Sequence, residues 1–433
     1  MINKLIILVV IVLGVIGIAQ LVRLNELSRK TSGKSEDEIP HRDNILNANL
    51  MLLFMVLFYA SFIWMMLKFG YTGRGVAAST HGVETDWLLN LNFVIIIAVF
   101  FLTNTLLFVF AWKYVKKPGV KAYFFPHDNK LEMIWTVIPA AVLAVIIILG
   151  LKSWNEITDE SSDEAERVEL FSYQFGWKAR YSGLDNTLGA FDYKLTTAEN
   201  EFAIMTKENI EKSLQLMQVG ATGNSGIEML EDQLNDKTII MSAAEREKLH
   251  NELKRKERMV RLLDQMNETY NDSLDALAMN DIFADTLVLL KGQNYEMSFR
   301  AKDVIHSAYL PHFRAQMNTV PGMVTRMKFQ PIYTTEEMRE IMDNPEFNYI
   351  LMCNKICGGA HYKMNMQVKV LGAKEYADWI TSQPRYDGKS YFGYDTDLEK
   401  LSVDDKSAMA MKKAELVEKY TSIEASLTQG EEK

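Results

Sequence analysis

Long apolar runs are confined to the first third of the chain, and the rest alternates between short apolar stretches and charged segments. Four runs approach the ~20 residues that a helix needs to cross the hydrocarbon core of a bilayer. They cover 5–22, 48–67, 91–112 and 134–151. Pro139 lies in the fourth run, where a membrane helix tolerates it if neighbouring groups satisfy the freed carbonyl. The pattern predicts four transmembrane helices, two within 1–70 and two in a hairpin at 88–153.

Lysine and arginine are concentrated in two of the three loops between these runs. Five follow the first run and five follow the third, whereas Arg74 is the only one between 69 and 90. Basic loops remain in the cytoplasm, so the chain beyond about 152 is expected outside it. The first run could instead be a signal peptide cleaved near Gly17-Ile18-Ala19. Its removal would reverse both charge asymmetries, which favours retention of all four spans.

The chain after residue 166 carries short apolar and aromatic runs typical of β-strands. They lie at 168–181, 286–290, 295–301, 347–352 and 366–371, with turns at Pro321-Gly322 and Gly358-Gly359. The pattern predicts a small β-sandwich over 166–195 and 282–380, in an α + β protein anchored in the membrane.

Two charged segments do not fit a sandwich. Residues 196–281 are rich in Glu, Lys, Leu and Met, and Ser242 with Glu245 matches a helix capping box. This predicts a helical insertion, which either contacts another subunit or is simply solvated. Residues 381–433 are predicted to form a charged C-terminal extension. The net charge of 47 − 56 = −9 argues against binding to nucleic acid through its phosphates.

Both cysteines of the chain lie in C-N-K-I-C-G-G-A-H-Y-K-M at 353–364. The segment offers two thiolates, an imidazole and a thioether, and His306 lies about fifty residues upstream. Soft sulfur donors with imidazole favour copper over magnesium, calcium or manganese. A structural disulfide and a tetrahedral zinc site remain alternatives. The spacing does not match the C-x-x-C-H motif of covalent haem attachment.

Several segments together resemble cytochrome c oxidase subunit II. D-V-I-H-S around His306, Pro321-Gly322 and the cysteine segment are similar to its CuA domain. L-E-M-I-W-T-V-I-P at 131–139 is similar to the start of the family's second membrane helix. Y-Q-F-G-W-K-A-R-Y at 173–181 is similar to its aromatic strand. The resemblance covers roughly 90–190 and 283–380, and it implies a cupredoxin-like Greek-key β-sandwich.

The resemblance also implies roles for individual residues. Six would hold a dinuclear copper centre: Cys353 and Cys357 as bridges, His306 and His361 as ligands of one ion each, and Met364 and the Lys355 carbonyl as axial donors. Phe175, with Trp177 next to it in the aromatic strand, would serve electron entry. Glu132 matches the glutamate at the mouth of a proton pathway. No catalytic residue is expected in this chain, because oxygen reduction and most proton pumping would occur in subunit I.

Partners and location follow from the same resemblance. It implies subunit I and subunit III in a bacterial inner membrane, with the CuA domain on the periplasmic side and haem only in the partner subunits. Cytochrome c, or a cytochrome c domain of a quinol-oxidising complex, would donate electrons. A copper-bearing nitric oxide reductase subunit and a copper-delivery chaperone are alternatives. A quinol-oxidase subunit is disfavoured because that type lacks the copper ligands.

Two positions depart from the family. Lys355 replaces the usual glutamate, whose side chain helps to hold magnesium against subunit I. A lysine cannot ligate magnesium, so that site is expected to be absent or rebuilt. Asn318 stands where an aspartate is common.

Overall fold

The computed structural model of the chain describes residues 2–31, 40–70, 75–159, 162, 164–221 and 224–430. Two compact units can be separated within it. One comprises Met1–Arg74 and Leu91–Ala141, and the other comprises Gly75–Asn90 and Val142–Lys433.

Four long helices come first: α1 (Ile2–Thr31), α2 (His41–Phe69), α3 (Thr80–Lys113) and α4 (Asn129–Thr158). Among the described residues, α2, α3 and α4 are long and apolar enough to cross a membrane. This confirms three of the four predicted spans. The first predicted run falls within α1, whose side chains are described only for residues 12–28, so a fourth span stays a prediction.

Aromatic side chains pack α2 against α3 within the first unit. The rings of Phe62 and Phe100 are stacked with centroids 4.8 Å apart, and Tyr59 meets Phe101 edge-on at 4.7 Å. The Tyr59 hydroxyl also donates a hydrogen bond to the Phe101 carbonyl at 3.1 Å. Because lipid is as apolar as these side chains, such packing and hydrogen bonding are what hold membrane helices together.

Two five-stranded sheets dominate the second unit. In the first the strand order is β10-β7-β1-β2-β5, and in the second it is β6-β12-β11-β8-β9. A short hairpin, β3-β4, is separate. The strands are β1 (Glu166–Tyr173), β2 (Gly176–Tyr181), β3 (Gly220–Ala221), β4 (Asn224–Ser225), β5 (Ile282–Ala284), β6 (Leu287–Leu290), β7 (Tyr295–Ala301), β8 (His306–Leu310), β9 (Ala315–Thr319), β10 (Thr325–Phe329), β11 (Tyr349–Cys353) and β12 (Asn365–Leu371).

One hydrophobic cluster draws on both five-stranded sheets. It includes Leu170 of β1 and Phe299 of β7 from one sheet, and Leu351 of β11 and Val368 of β12 from the other. Along β12, exposed and buried residues alternate, as the two-residue period of a strand requires when one face is covered. Each sheet contains one parallel pair, β1 with β7 and β6 with β12, and its other pairs are antiparallel.

The segment 196–281 is mainly helical. It contains α5 (Lys207–Gln218), α6 (Ile227–Asn235), α7 (Ala243–Thr269) and α8 (Asp275–Met279). The predicted capping box is confirmed at the start of α7, where Ser242 and Glu245 hydrogen-bond each other's backbone N–H. Leu195, Ile210 and Leu263 form a small core that joins α5 and α7.

Three further helices complete the second unit: α9 (Thr335–Ile341), α10 (Ala373–Ser382) and α11 (Val403–Gly430). The C-terminal helix α11 packs on α10. The ring centroids of Tyr420 and Tyr376 lie 5.1 Å apart. The Glu424 carboxylate accepts a hydrogen bond from the Ala373 N–H at 3.0 Å. The later part of the charged C-terminal extension therefore packs against α10.

Candidate metal centre

His306 begins β8 and is completely buried. Its Nε2 lies 2.9 Å from Oδ1 of Asp303, three residues earlier in the chain. Its Nδ1 is buried and has no hydrogen-bond partner. A carboxylate on one ring nitrogen commonly fixes the orientation of a histidine that binds metal through the other nitrogen. The environment of His306 fits such a ligand.

The cysteine loop leaves β11 beside β8. Cys353 is the last residue of β11, and its N–H donates to the Met364 carbonyl at 3.0 Å. The next N–H, that of Asn354, donates to the Ser307 carbonyl at 3.0 Å. These bonds bring the start and the end of the loop together beside His306.

The soft donors converge at this point. The ligand atoms of His306, Cys353 and Cys357 all lie within 4.8 Å of one another. The Cys357 sulfur lies 3.6 Å from His361 Nδ1 and 3.6 Å from the Met364 sulfur. The Cys353 sulfur lies 3.2 Å from the Lys355 carbonyl oxygen. The structure thus gathers at one place all six residues that the sequence analysis selected as ligands.

The two thiols are free, with their sulfur atoms 3.9 Å apart. This is far longer than the ~2.05 Å of a disulfide. A metal ion bonded to both sulfurs at ~2.3 Å each could span it. Two free thiols, a partnerless buried imidazole nitrogen and a buried thioether form a donor set that suits copper. The residues present therefore fit the metal that the sequence predicts.

Burial also affects the protonation of the cysteine pair. Cys357 is 6% exposed, and its burial, reinforced by the charge of nearby Cys353, raises the pKa of the Cys357 thiol to about 11. Because a thiol must lose its proton to bind a metal, uptake of an ion here would release a proton.

The turn between β1 and β2 contacts the cysteine loop. The Phe175 ring lies against Gly358, whose φ is +144°, and a Cβ on that glycine would be 2.8 Å from two ring atoms. Phe175 remains 38% exposed. Trp177 is 4% exposed and meets the His306 ring edge-on, with centroids 6.2 Å apart. Of the two predicted electron-entry residues, Phe175 reaches the surface and Trp177 lies inside beside a candidate ligand.

Comparisons with known proteins find similarity to subunits of one respiratory complex. The family described as "Cytochrome C oxidase subunit II, transmembrane domain" matches residues 72–153. The alternative cytochrome c oxidase subunit 2 of Bradyrhizobium diazoefficiens is 24% identical, over 71% of this chain and 85% of its own. Cytochrome c oxidase subunit 2 of Cereibacter sphaeroides is 20% identical, over 72% of this chain and 80% of its own. The chain is thus similar to cytochrome c oxidase subunit II over most of its length, and residues 72–153 match the transmembrane domain of that family.

Among solved structures, the periplasmic domain of subunit II of cytochrome oxidase from Bradyrhizobium japonicum aligns with 51% of this chain and 92% of its own. The identity is 13% and the TM-score is 0.24, which is too low to support an argument about the fold. The named relatives are subunits of an oxidoreductase complex. The match to a transmembrane-domain family, together with three apolar helices of membrane length among the described residues, indicates a membrane protein.

Two residues depart from the subunit II pattern, Lys355 in the cysteine loop and Asn318 in β9. The Lys355 side chain is exposed, while its carbonyl faces Cys353. Asn318 lies in β9 opposite Ser307 of β8, and its carbonyl accepts a hydrogen bond from the Thr325 hydroxyl at 2.7 Å. The Lys355 main chain thus faces the donor set although its side chain has changed.

Glu132 of this subunit II relative lies in the first turn of α4. Asp128 begins that turn, and its carboxylate accepts hydrogen bonds from the N–H groups of Lys130 and Leu131. Glu132 is half-exposed, with its carboxylate 3.8 Å from His127 Nδ1. A carboxylate is favourable at a helix N-terminus, where unpaired N–H groups create positive potential.

Sequence reasoning missed two residues of this centre. Asp303 supports His306, and the amide of Gln174 donates a hydrogen bond to the Cys357 carbonyl. The aspartate three residues before His306 was a usable signal, since side chains near a ligand histidine often bind its second nitrogen. The role of Gln174 had no such signal, because 183 residues separate it from Cys357.

Proposed function

We propose that this protein is the copper-binding subunit II of a haem–copper terminal oxidase in a bacterial inner membrane. Its CuA centre would accept electrons from cytochrome c, or from a cytochrome c domain, and pass them to haem in subunit I. The observation that carries the proposal is the convergence of His306, Cys353, Cys357, His361 and Met364 in one donor set, in which His306, Cys357 and Met364 are buried.

The candidate ligands come from two parts of the chain, the start of β8 and the cysteine loop. His306, Cys353, Cys357 and His361 would hold the copper pair, with both thiolates serving the pair and one imidazole for each ion. Met364 and the Lys355 carbonyl would be weaker donors. When bound, the copper pair supplies reversible one-electron transfer. The protein holds the donors on strand ends and a short loop that backbone hydrogen bonds brace. Such rigid positioning limits rearrangement of the ligands when an electron arrives or leaves.

The surroundings suit electron entry at Phe175. The Phe175 ring is partly exposed, and its inner side lies against Gly358. Gly358 follows Cys357 directly in the sequence and precedes His361. A partner that covers Phe175 would therefore come within one side chain of the metal centre. Trp177 would serve as packing for His306 rather than as a contact for the partner. Oxygen reduction and proton translocation would take place in subunit I, with Glu132 at the mouth of a proton pathway.

The deciding experiment is metal analysis with electron paramagnetic resonance on the purified membrane complex. We expect about two copper ions per chain beyond those of the partner subunits, and a mixed-valence signal with the unpaired electron shared by two copper nuclei. Cys357→Ser should abolish this signal and the near-infrared band, because one bridge is lost. Met366→Leu, a buried change two residues beyond Met364, is the control. A single copper, a zinc ion or a disulfide in the wild-type complex would refute the proposal.

A further inference from the structure

Gln174 makes hydrogen bonds toward both parts of the chain that supply candidate ligands, the segment around His306 and the cysteine loop. It lies between β1 and β2 and precedes Phe175. Its backbone N–H donates to Oδ2 of Asp303 at 2.7 Å, and Oδ1 of the same carboxylate meets His306 Nε2. Its side-chain amide donates to the carbonyl of Cys357. Gln174 thus bonds the cysteine loop directly and is linked to His306 through the Asp303 carboxylate.

The cysteine loop has backbone support near its ends. Asn354 N–H bonds the Ser307 carbonyl at the start, and His361 N–H bonds the Gly358 carbonyl further on. Gln174 binds between these points, at the residue that carries the more deeply buried sulfur. A carbonyl that is removed from water and left without a hydrogen-bond donor destabilises the folded state. The Gln174 amide therefore satisfies the Cys357 carbonyl and also fixes the position of that segment.

Gly358 allows this approach. A Cβ at position 358 would lie 2.9 Å from Gln174 Nε2 as well as 2.8 Å from the Phe175 ring. With no side chain at 358, both residues of the turn rest directly on the ligand loop. The φ of +144° is also one that residues with side chains rarely adopt.

We propose that Gln174 is a positioning residue for the metal centre. Its side-chain amide holds the Cys357 segment, and its backbone N–H holds His306 through Asp303. The cysteine loop and His306 therefore keep their relative positions before a metal ion binds. It does so from the turn that carries the electron-entry ring. This inference rests on the proposed function, because it assigns a supporting role to the same site.

The test uses the full-length protein in its complex, with copper removed and then added back as the probe. Gln174→Met keeps the length of the side chain but lacks the N–H donor. We expect it to weaken copper affinity about tenfold, as loss of a supporting hydrogen bond around a metal does. In the copper-free protein, amide hydrogen exchange should rise across 357–361. After reloading, the copper hyperfine pattern should change.

Gln383→Met is the matched control. The Gln383 amide also donates to a backbone carbonyl, that of Trp379 at 3.3 Å, but at the end of α10. It should alter neither copper affinity nor exchange across 357–361. Gln174→Asn is the second variant, in case Gln174→Met does not fold. It keeps the amide but is one methylene shorter, so the same losses are expected.

Two results would count against the inference in different ways. Copper in the wild-type complex, with unchanged affinity and exchange in the Gln174 variants, overturns the positioning role alone. A wild-type complex that takes up no copper at this site overturns the proposed function and the positioning role together.

Discussion

At the scale of single residues, the proposed centre combines strong donors with weaker ones, and Met364 is one of the weaker donors. Cys357 and Met364 are both buried, and their sulfur atoms are 3.6 Å apart. A thioether binds copper weakly compared with a thiolate or an imidazole. Met364 is therefore expected to tune the reduction potential of the metal rather than to hold the metal in place. The same chain offers a comparison, because Met366 is buried in the same hydrophobic cluster two residues later.

The first prediction concerns this pair. Met364→Leu should keep both copper ions but shift the reduction potential, because an axial ligand tunes the potential of a copper–thiolate site. Redox titration of the near-infrared band measures the shift. Met366→Leu conserves volume in the same way and should leave the potential unchanged. Equal shifts in both variants would show that packing, and not ligation, is responsible.

At the scale of elements, the C-terminal helix α11 and α10 cover the beginning of β1. Tyr376 of α10 donates a hydrogen bond to the Glu166 carboxylate at 2.8 Å. Burial raises the pKa of Glu166 to about 7, although Tyr376 and Lys419 oppose the shift. The Glu166 carboxyl thus keeps its proton to a higher pH in the folded protein than an ordinary glutamate does.

The second prediction follows from the sign of that shift. The folded-state pKa of about 7 exceeds the ordinary value of 4.5, so the folded protein binds the proton more tightly than the unfolded chain. Stability is then highest below pH 4.5 for this group and is lost as the pH rises through 7. Glu166→Gln should raise the free energy of unfolding at pH 8 by about 1–2 kcal/mol, since the residue is only partly buried.

Thermal unfolding at pH 5 and pH 8 would measure the effect. The gain in melting temperature should be clear at pH 8 and much smaller at pH 5. Glu375→Gln changes an exposed glutamate of α10 and is the control. If Glu166→Gln gains as much at pH 5 as at pH 8, ionisation of Glu166 is not the cause.

At the scale of the whole molecule, electron entry and proton supply are proposed for separate parts of the chain. Phe175 lies in the second unit and Glu132 in the first. Each can be changed without touching a candidate copper ligand directly, so the two roles can be tested one at a time in the assembled complex.

The third prediction concerns Phe175. Phe175→Ala should slow reduction by cytochrome c about tenfold or more, because it removes the exposed ring that packs against the cysteine loop. The copper content should stay unchanged. Stopped-flow reduction and metal analysis report the two quantities. Phe191→Ala is the control, since Phe191 is 39% exposed but stacks on Arg300 with a centroid distance of 3.7 Å. Parallel loss of copper and rate in Phe175→Ala would indicate a structural role.

The fourth prediction concerns Glu132. Glu132→Gln should lower oxygen consumption by the complex while copper loading and reduction of the copper centre stay normal, because the amide cannot carry a proton. Glu156→Gln is the control near the other end of α4, where the side chain has a similar exposed fraction, 48% against 46%. Normal turnover in Glu132→Gln would remove this residue from the proton pathway.

Several features of the fold could be predicted because their signals are local. The strands β1, β2, β6, β7, β11 and β12 lie within or beside the predicted apolar runs. By contrast, β9 reads A-Q-M-N-T and shows no clear apolar run, and it is a strand because it pairs with β8. The helices α9 and α10 were also not predicted from the sequence. Their apolar faces are short, and these faces are buried only because they pack against the rest of the second unit.

Local patterns in the sequence were sufficient to predict α2, α3 and α4 and the donor types of the proposed centre. An apolar run of membrane length needs no distant partner, and Cys353, Cys357, His361 and Met364 lie within one short segment. Three other properties become visible only in the folded chain: which His306 nitrogen lacks a partner, that Trp177 is buried while Phe175 is exposed, and that Gln174 contacts Cys357. These properties depend on strands paired across long stretches of chain, and spacing along the sequence carries no record of that pairing.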